Sequence, residues 1–411
     1  MSARVATFAV SLVAGLALAA GTASAAPPPL QAKAAIVVQP DTGDVVYARA
    51  PDQRRPIAST TKLMTALLTL ERANLDDVDV AVPYHPLPAE SVVGLRAGER
   101  LTVRDLLRAL LLASANDAAE TLAVDVAGSQ AAFVRAMNAR AAQLHLRNTH
   151  YANSIGLDEA GNYSSARDLA KLAEVLLRKP FFARTVDRPR ATLTSGAHVR
   201  RIVNRNSLVR EFPFVDGVKT GHTAQAGYVL VGAAERGGVR ILSVVLGDPS
   251  ERARDRDSLA LLRYGLSRYR RDVAARRGAR VTSQQLKYRS GHVWLVAGAT
   301  LAGVVRRDEP LRTEVRTPGD LDGPLRAGAR VGTMALVTHG RVVARVPLVT
   351  AAPVAEASLT ERVTSFLTST GVVLLIAVLA LSTLQLARMR RRATRRRRAR
   401  ARQQRRGTEA A

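Results

Sequence analysis

Across 411 residues the chain has no cysteine, which excludes disulfides, thiolate nucleophiles and cysteine-bearing metal sites. Seven histidines are scattered without a His-x-x-x-His pair, so no histidine zinc site is expected, and a hydrophobic fraction of 47% is enough for two domains with separate cores. The net charge of +27 is uneven: from Arg388 onward twelve arginines stand against one glutamate, and the rest of the excess is spread over the body.

In chain order, residues 1–25 read as a secretory leader. Arg4 supplies the positive start, Val5 to Ala20 an apolar run short for a span, and Ala23-Ser24-Ala25 a small-x-small cleavage site. Ala35–Tyr47 reads as strand, turn and strand around Asp41-Thr42-Gly43. Pro56-Ile57-Ala58-Ser59-Thr60-Thr61-Lys62 then leads into a helix with apolar residues at Leu63, Leu67 and Leu70. The stretch from Leu101 to Leu177 is mostly helical in pattern. Thr102 with Asp105 suits a capping box, and Ser129 and Ser165 suit helix caps. Strand character returns near Val199. Val215–Thr220 is a predicted strand, Gly227–Ala233 and Val239–Leu246 a predicted hairpin, and Leu259, Leu262 and Leu266 mark a closing helix. Strands that open and close a region whose middle is helical predict an α/β fold with one mainly antiparallel sheet and helices packed on it.

From about 271 to 360, short β-like runs alternate with turns, including a predicted hairpin at Val331–Val337 and Val342–Leu348 joined at His339-Gly340; this reads as a small β-rich domain. Phe366–Leu386 carries no charge and is long enough to cross a bilayer, and the arginines that follow mark a cytoplasmic flank. The expected organisation is a leader at 1–25, a first domain at 26–270, a β-rich domain at 271–360, a transmembrane helix at 361–388 and a basic cytoplasmic tail at 389–411. Export and anchoring argue against the nucleic-acid binding that so basic a chain otherwise invites.

Three short motifs carry candidate chemistry. Ser59 and Lys62 are three apart at a helix start, so hydroxyl and amine share a face. A lysine in an apolar pocket can then serve as the base that activates the serine. Ser114-Ala115-Asn116 sets a hydroxyl and a carboxamide in a turn after an apolar helix; the hydroxyl can relay a proton and the amide suits a peptide bond. Lys219-Thr220-Gly221 ends a predicted strand, offering a charge, a hydroxyl and a glycine beside which a bound chain can approach.

Together the three motifs resemble the set of the β-lactamases and penicillin-binding proteins. With Asn153–Asp158, Tyr163–Ala170 and Val215–Tyr228, the chain resembles the low-molecular-mass penicillin-binding proteins, specifically the serine-type D-alanyl-D-alanine carboxypeptidases. The resemblance implies a β-lactamase/transpeptidase-like domain. It makes Ser59 the nucleophile and Lys62 its base. Ser114 becomes the proton relay, Asn116 the group that holds the substrate peptide, and Lys219, Thr220 and Gly221 the substrate-binding strand. Backbone N–H groups of Ser59 and His222 would form the oxyanion hole, and Arg254, with Arg252 and Arg256 as close rivals, would bind the substrate carboxylate. It implies peptidoglycan stem peptides as substrate, β-lactam antibiotics as acylating ligands, and no metal or organic cofactor. The expected location is the cell membrane, single-pass, with the catalytic domain extracytoplasmic and the C-terminus cytoplasmic. Ala115, where many relatives have glycine, and a full span in place of an amphipathic anchor are departures. The alternatives are a β-lactamase, with Glu159 as the residue to watch, and a non-catalytic wall-binding or penicillin-sensing protein.

Overall fold

The computed structural model describes residues 26–338 and 340–408, with side chains described through Arg395; the predicted leader and His339 of the predicted last turn lie outside the described residues. The chain forms two compact units. Residues up to Arg271 together with Val304–Pro310 form the first, and Asp272–Gly303 with the chain from Leu311 onward the second.

In the first unit, β1 (Ala34–Gln39) and β2 (Asp44–Arg49) form the predicted opening hairpin, and β7 (Val215–Thr223), β8 (Gly227–Arg236) and β9 (Val239–Asp248) close the sheet. The order β2-β1-β9-β8-β7 joins the two ends of the unit, with every described neighbouring pair antiparallel. Successive residues of a strand point to opposite faces. Val229, Val231, Leu242 and Val244 therefore enter one core, and Leu230, Ile241 and Val245 another. Burial on both faces is why these strands read as continuous apolar runs rather than alternating ones.

The larger core is filled by α1 (Lys62–Arg72), α2 (Val103–Arg108), α3 (Asn116–Ala127), α4 (Gln130–Gln143), α5 (Ala166–Leu177) and α6 (Pro180–Val186). The other face is covered by α8 (Glu251–Arg268) through Leu261 and Leu262. Small ladders, β3 (Val78–Val80) with β4 (Arg100–Thr102) and β5 (Arg190–Leu193) with β6 (Arg200–Val203), and the short α7 (Ser207–Glu211) complete the unit. Ser129 and Ser165 are helix caps, accepting from the N–H of Ala132 and Asp168. Only half of the capping box at Thr102 forms. Thr102 accepts from the Asp105 N–H, while the Asp105 carboxylate accepts from the Thr194 and Ser195 N–H groups.

The unit boundaries fall inside β10 (Tyr269–Ala275), inside β13 (Leu301–Arg306) and after Pro310. The second unit contains an antiparallel sheet in the order β11-β12-β16-β15-β14, built from β11 (Arg280–Gln285), β12 (His292–Ala297), β14 (Arg312–Arg316), β15 (Arg330–Thr338) and β16 (Arg341–Thr350). Its buried side chains include Leu295, Leu336 and Leu348. Beyond it the chain makes α9 (Leu359–Leu367), with Ser358 and Glu361 in a complete capping box, and then α10 (Thr370–Thr408). The break at Thr368-Ser369 falls inside the segment expected as one span, so the apolar helix begins at Thr370. Among the described residues this one helix, over Thr370–Arg395, is long and apolar enough to cross a membrane.

Candidate active site

Ser59 lies in a 3₁₀ turn, Ala58–Thr61, that runs directly into α1. Two glycines let this turn pack tightly. A Cβ on Gly156, whose φ is +89°, would stand 2.1 Å from the Ala58 carbonyl oxygen, and one on Gly221 would stand 2.9 Å from the Ser59 nitrogen. Gly221 thus admits the turn carrying Ser59 as a neighbour, in addition to the role expected for it toward a bound chain. The helix is buried on nearly every side from Lys62 to Thr69, and the Thr65 hydroxyl donates to the Ser154 carbonyl at 2.6 Å.

Lys62 has no solvent exposure. Its Nζ lies 3.0 Å from Ser59 Oγ, 2.6 Å from Asn116 Oδ1 and 2.6 Å from the Ile155 carbonyl oxygen. Burial pushes its ammonium down to about 7, against the opposing pull of the Glu90 carboxylate; Arg205 lowers it further and Asp117 raises it. A lysine poised there is neutral in a large share of molecules near neutral pH, and a neutral amine 3.0 Å from a hydroxyl can take its proton.

Ser114 follows a π-helical turn, Ala109–Ala113, and holds a left-handed backbone with φ 62° and ψ 30°. That conformation is costly for a non-glycine residue, and it turns the chain sharply between the apolar run and α3. Lys219, only 1% exposed, donates to Ser114 Oγ and to the Thr220 carbonyl oxygen, each at 2.9 Å. Burial drives its ammonium well below the usual lysine value, and the charges of Lys62, Arg205 and Arg254 add to the effect.

A cavity of about 300 Å³ opens over these groups, lined by Ser59, Ser91, Ser114, Arg205, Thr220, Gly221, His222, Tyr228 and Arg254 among others. Of the three rival arginines, Arg254 is the one that lines it. Arg254 is buried on α8 and paired with Glu251 and Asp255, whereas Arg252 and Arg256 are exposed. The exposed His222 ring stacks on Tyr228 with centroids 4.0 Å apart.

Both ends of the Asn116 amide are engaged: its oxygen accepts from Lys62 and its Nδ2 donates to Glu90 Oε2 at 2.8 Å. Glu159 is exposed and accepts from Asn153 Nδ2 at 2.8 Å; it lines a different cavity from the one over Ser59. Glu90, Ser91 and Arg205 carry no motif and were not expected. The cluster of Arg200, Arg201 and Arg205 was the only sequence hint, and it points to basic surface rather than to a cleft. Among the described residues, no group of three or more His, Asp or Glu side chains is placed to hold a metal ion.

The profile of the peptidase S11 family, D-alanyl-D-alanine carboxypeptidase, matches residues 21–250. The chain belongs to this family. It is 32% identical to the D-alanyl-D-alanine carboxypeptidase DacD of Escherichia coli, over 83% of this chain and 91% of that one. It is 30% identical to the carboxypeptidase DacF of Bacillus subtilis, over 77% and 84%. Among solved structures it is similar to penicillin binding protein 5 of Haemophilus influenzae, with a TM-score of 0.59 and 27% identity over 81% of this chain and 100% of that one. The chain is therefore a low-molecular-mass penicillin-binding protein, a serine-type D-alanyl-D-alanine carboxypeptidase that works through an acyl-enzyme. The family acts on peptidoglycan peptides and binds β-lactams.

Proposed function

We propose a division of labour among the side chains of this carboxypeptidase. The single observation that carries it is the 3.0 Å contact between Lys62 Nζ and Ser59 Oγ, at a site whose cavity also takes in Ser114, Thr220 and Arg254. The substrate's terminal carboxylate docks toward Arg254, Lys219 and Thr220. Ser59 attacks the penultimate carbonyl while the Lys62 amine takes the hydroxyl proton. The N–H groups of Ser59 and His222 face the developing oxyanion. Ser114, held by Lys219, relays the proton taken by Lys62 to the departing amine, so Lys62 is neutral again as the C–N bond breaks and D-alanine leaves. Water then enters and attacks the ester carbonyl as Lys62 takes its proton; the C–Oγ bond breaks, and Lys62 returns that proton to Ser59 Oγ.

The stem peptide of peptidoglycan is the proposed substrate, and penicillins acylate the same hydroxyl. The apolar helix from Thr370 anchors the enzyme. The dense arginines after Arg388 support a cytoplasmic C-terminus, and so an extracytoplasmic catalytic unit. The proposed domain limits remain 26–270 for the catalytic domain and 271–360 for the β-rich one.

The test uses the full chain in detergent, with and without Ser59→Ala. The intact mass is read after mixing with a penicillin, and D-alanine release is assayed on a stem pentapeptide. A lasting adduct on Ser59 with D-alanine release, both lost in the variant, is the expected result. Rapid return to the unmodified mass with the antibiotic consumed would instead mark a β-lactamase. Intact peptide binding without release would mark a non-catalytic binding protein.

A further inference from the structure

The connection between β3 and β4 forms a wall beside the reactive groups. Its residues alternate: Ala89 and Ser91 line the cavity over Ser59, while Leu87 and Glu90 line a second cavity of about 780 Å³. The wall grips Asn116 twice. The Ser91 carbonyl accepts from the Asn116 backbone N–H at 2.7 Å, and Glu90 Oε2 accepts from its Nδ2 at 2.8 Å. The Tyr84 hydroxyl donates to the same Glu90 oxygen. The far end of the amide accepts from Lys62 Nζ, which in turn meets Ser59 Oγ.

Each link in this chain has a fixed direction. An ammonium can only donate and a carboxylate can only accept. The two ends of a carboxamide have nearly the same shape, so its orientation follows from its partners. With Glu90 on one side, Nδ2 must face the carboxylate and Oδ1 must face Lys62. Without it, Lys62 alone would set the orientation, and its neutral amine, which can accept as well as donate, would let a flipped amide N–H occupy the lone pair needed for the serine proton.

We propose that Glu90 is a positioning residue for acyl transfer: it locks the Asn116 amide so that the amide oxygen holds the Lys62 amine against Ser59. This rests on the reading of Lys62 as the base. The carboxylate also acts on the charge of the base. The charged groups about Lys62 are Glu90 from the wall, Asp117 from α3, Arg205 from the segment before α7 and Lys219 from β7; Ile155 contributes its backbone carbonyl. The Asp117 carboxylate is already taken by the N–H groups of Val93, Leu95 and Ala118. Glu90 is thus the acidic group joined to Lys62 through a single side chain.

Two substitutions in the full chain separate shape from charge. Glu90→Gln keeps an acceptor for Asn116 and removes the charge; Glu90→Ala removes both. The rate of Ser59 acylation by a penicillin is followed by mass from pH 5 to 9, with D-alanine release and thermal midpoint alongside. In Glu90→Gln the acid limb moves to lower pH, by about half to one unit, because the ammonium loses a stabilising charge. In Glu90→Ala the plateau rate also falls by about tenfold or more, the scale of a lost hydrogen bond to a charged group. The KM for the pentapeptide changes less than kcat in both.

If the wild type acylates and both variants overlay it in rate and acid limb, the proposal is overturned while the site reading stands. Rate lost equally at every pH, in step with a lower thermal midpoint and with no shift of the limb in Glu90→Gln, means a merely structural glutamate and also overturns it. A wild type that forms no Ser59 adduct removes the site reading, and this inference with it.

Discussion

Between residues 26 and 271 the chain buries two lysines, an arginine and several carboxylates, among them Lys62, Lys219, Arg254, Asp79 and Asp248. The β-rich unit, among its described residues, buries polar side chains only at Thr338 and Thr350; its interior is residues such as Leu295, Leu336 and Leu348. Burying a charge is expensive unless it is paired or bonded, and unpaired it shifts its pKa instead. In the first unit Arg254 lines the small cavity over Ser59, and Lys62 and Lys219 bond to Ser59 and Ser114 in its lining, while Asp79 is buried elsewhere; the second unit has the interior expected where only packing is needed. The contrast places the chemistry without reference to any motif.

Four experiments break or sharpen this contrast. The largest effect is expected for Lys62→Ala, which removes the proposed base. Acylation of Ser59 by a penicillin should slow by roughly 10²–10⁴-fold with the thermal midpoint little changed or raised, since a buried ammonium is removed. A rate within threefold of the wild type would take Lys62 out of the reaction.

The mirror experiment is Leu336→Ala in the second unit. It should destabilise that unit by about 2–5 kcal/mol, read by denaturant unfolding, and leave the rate of Ser59 acylation unchanged. A matching loss of acylation would mean that the chemistry leans on the β-rich unit after all.

Arg254→Gln comes next. The KM for a stem pentapeptide should rise by about tenfold or more, while Arg252→Gln and Arg256→Gln, both at exposed positions, stay near the wild type. Equal effects at all three would assign the carboxylate to general positive field rather than to one side chain.

The smallest effect concerns a buried acid remote from the motifs. Burial, with Asp125 beside it, pushes the Asp79 carboxyl up to about 7. A carboxyl raised in the folded state favours the fold in acid, and that contribution is lost as pH rises through the unfolded value toward about 7. Asp79→Asn should therefore raise the thermal midpoint by about 2–4 °C at pH 8 and by less at pH 5. A gain equal at both pH values would exclude the charge as its source. The proposed role of Lys62 predicts the opposite pH sense within the same unit: acylation should rise as Lys62 loses its proton through about 7.

Much of this architecture was legible because it is local. The opening hairpin, the β8–β9 hairpin and the caps at Ser129 and Ser165 depend on residues a few positions apart. The three motifs put forward the proposed nucleophile, its proposed base and the Lys219 strand for the same reason. The limits of legibility are equally physical. The apolar helix begins at Thr370 rather than at Phe366, after a break at Thr368-Ser369 that the apolar count does not register. The capping box at Thr102 loses its second half because Asp105 finds better donors at Thr194 and Ser195, about ninety residues away.

The sequence by itself determined that Ser59 and Lys62 share a helical face, since a spacing of three is a property of the helix alone. It also determined that the body is a sheet with helices and that an apolar segment stands before a run of arginines. Only the tertiary structure decided what surrounds that pair. Asn116 reaches Lys62 across 54 positions, Ile155 across 93, and Glu90 reaches Asn116 across 26. It also decided that Arg254 rather than its neighbours lines the cavity, and that Gly221 makes room for the nucleophile's own turn. Contacts of this kind are made when distant segments are brought together to close a core, and no local pattern encodes which polar groups then meet.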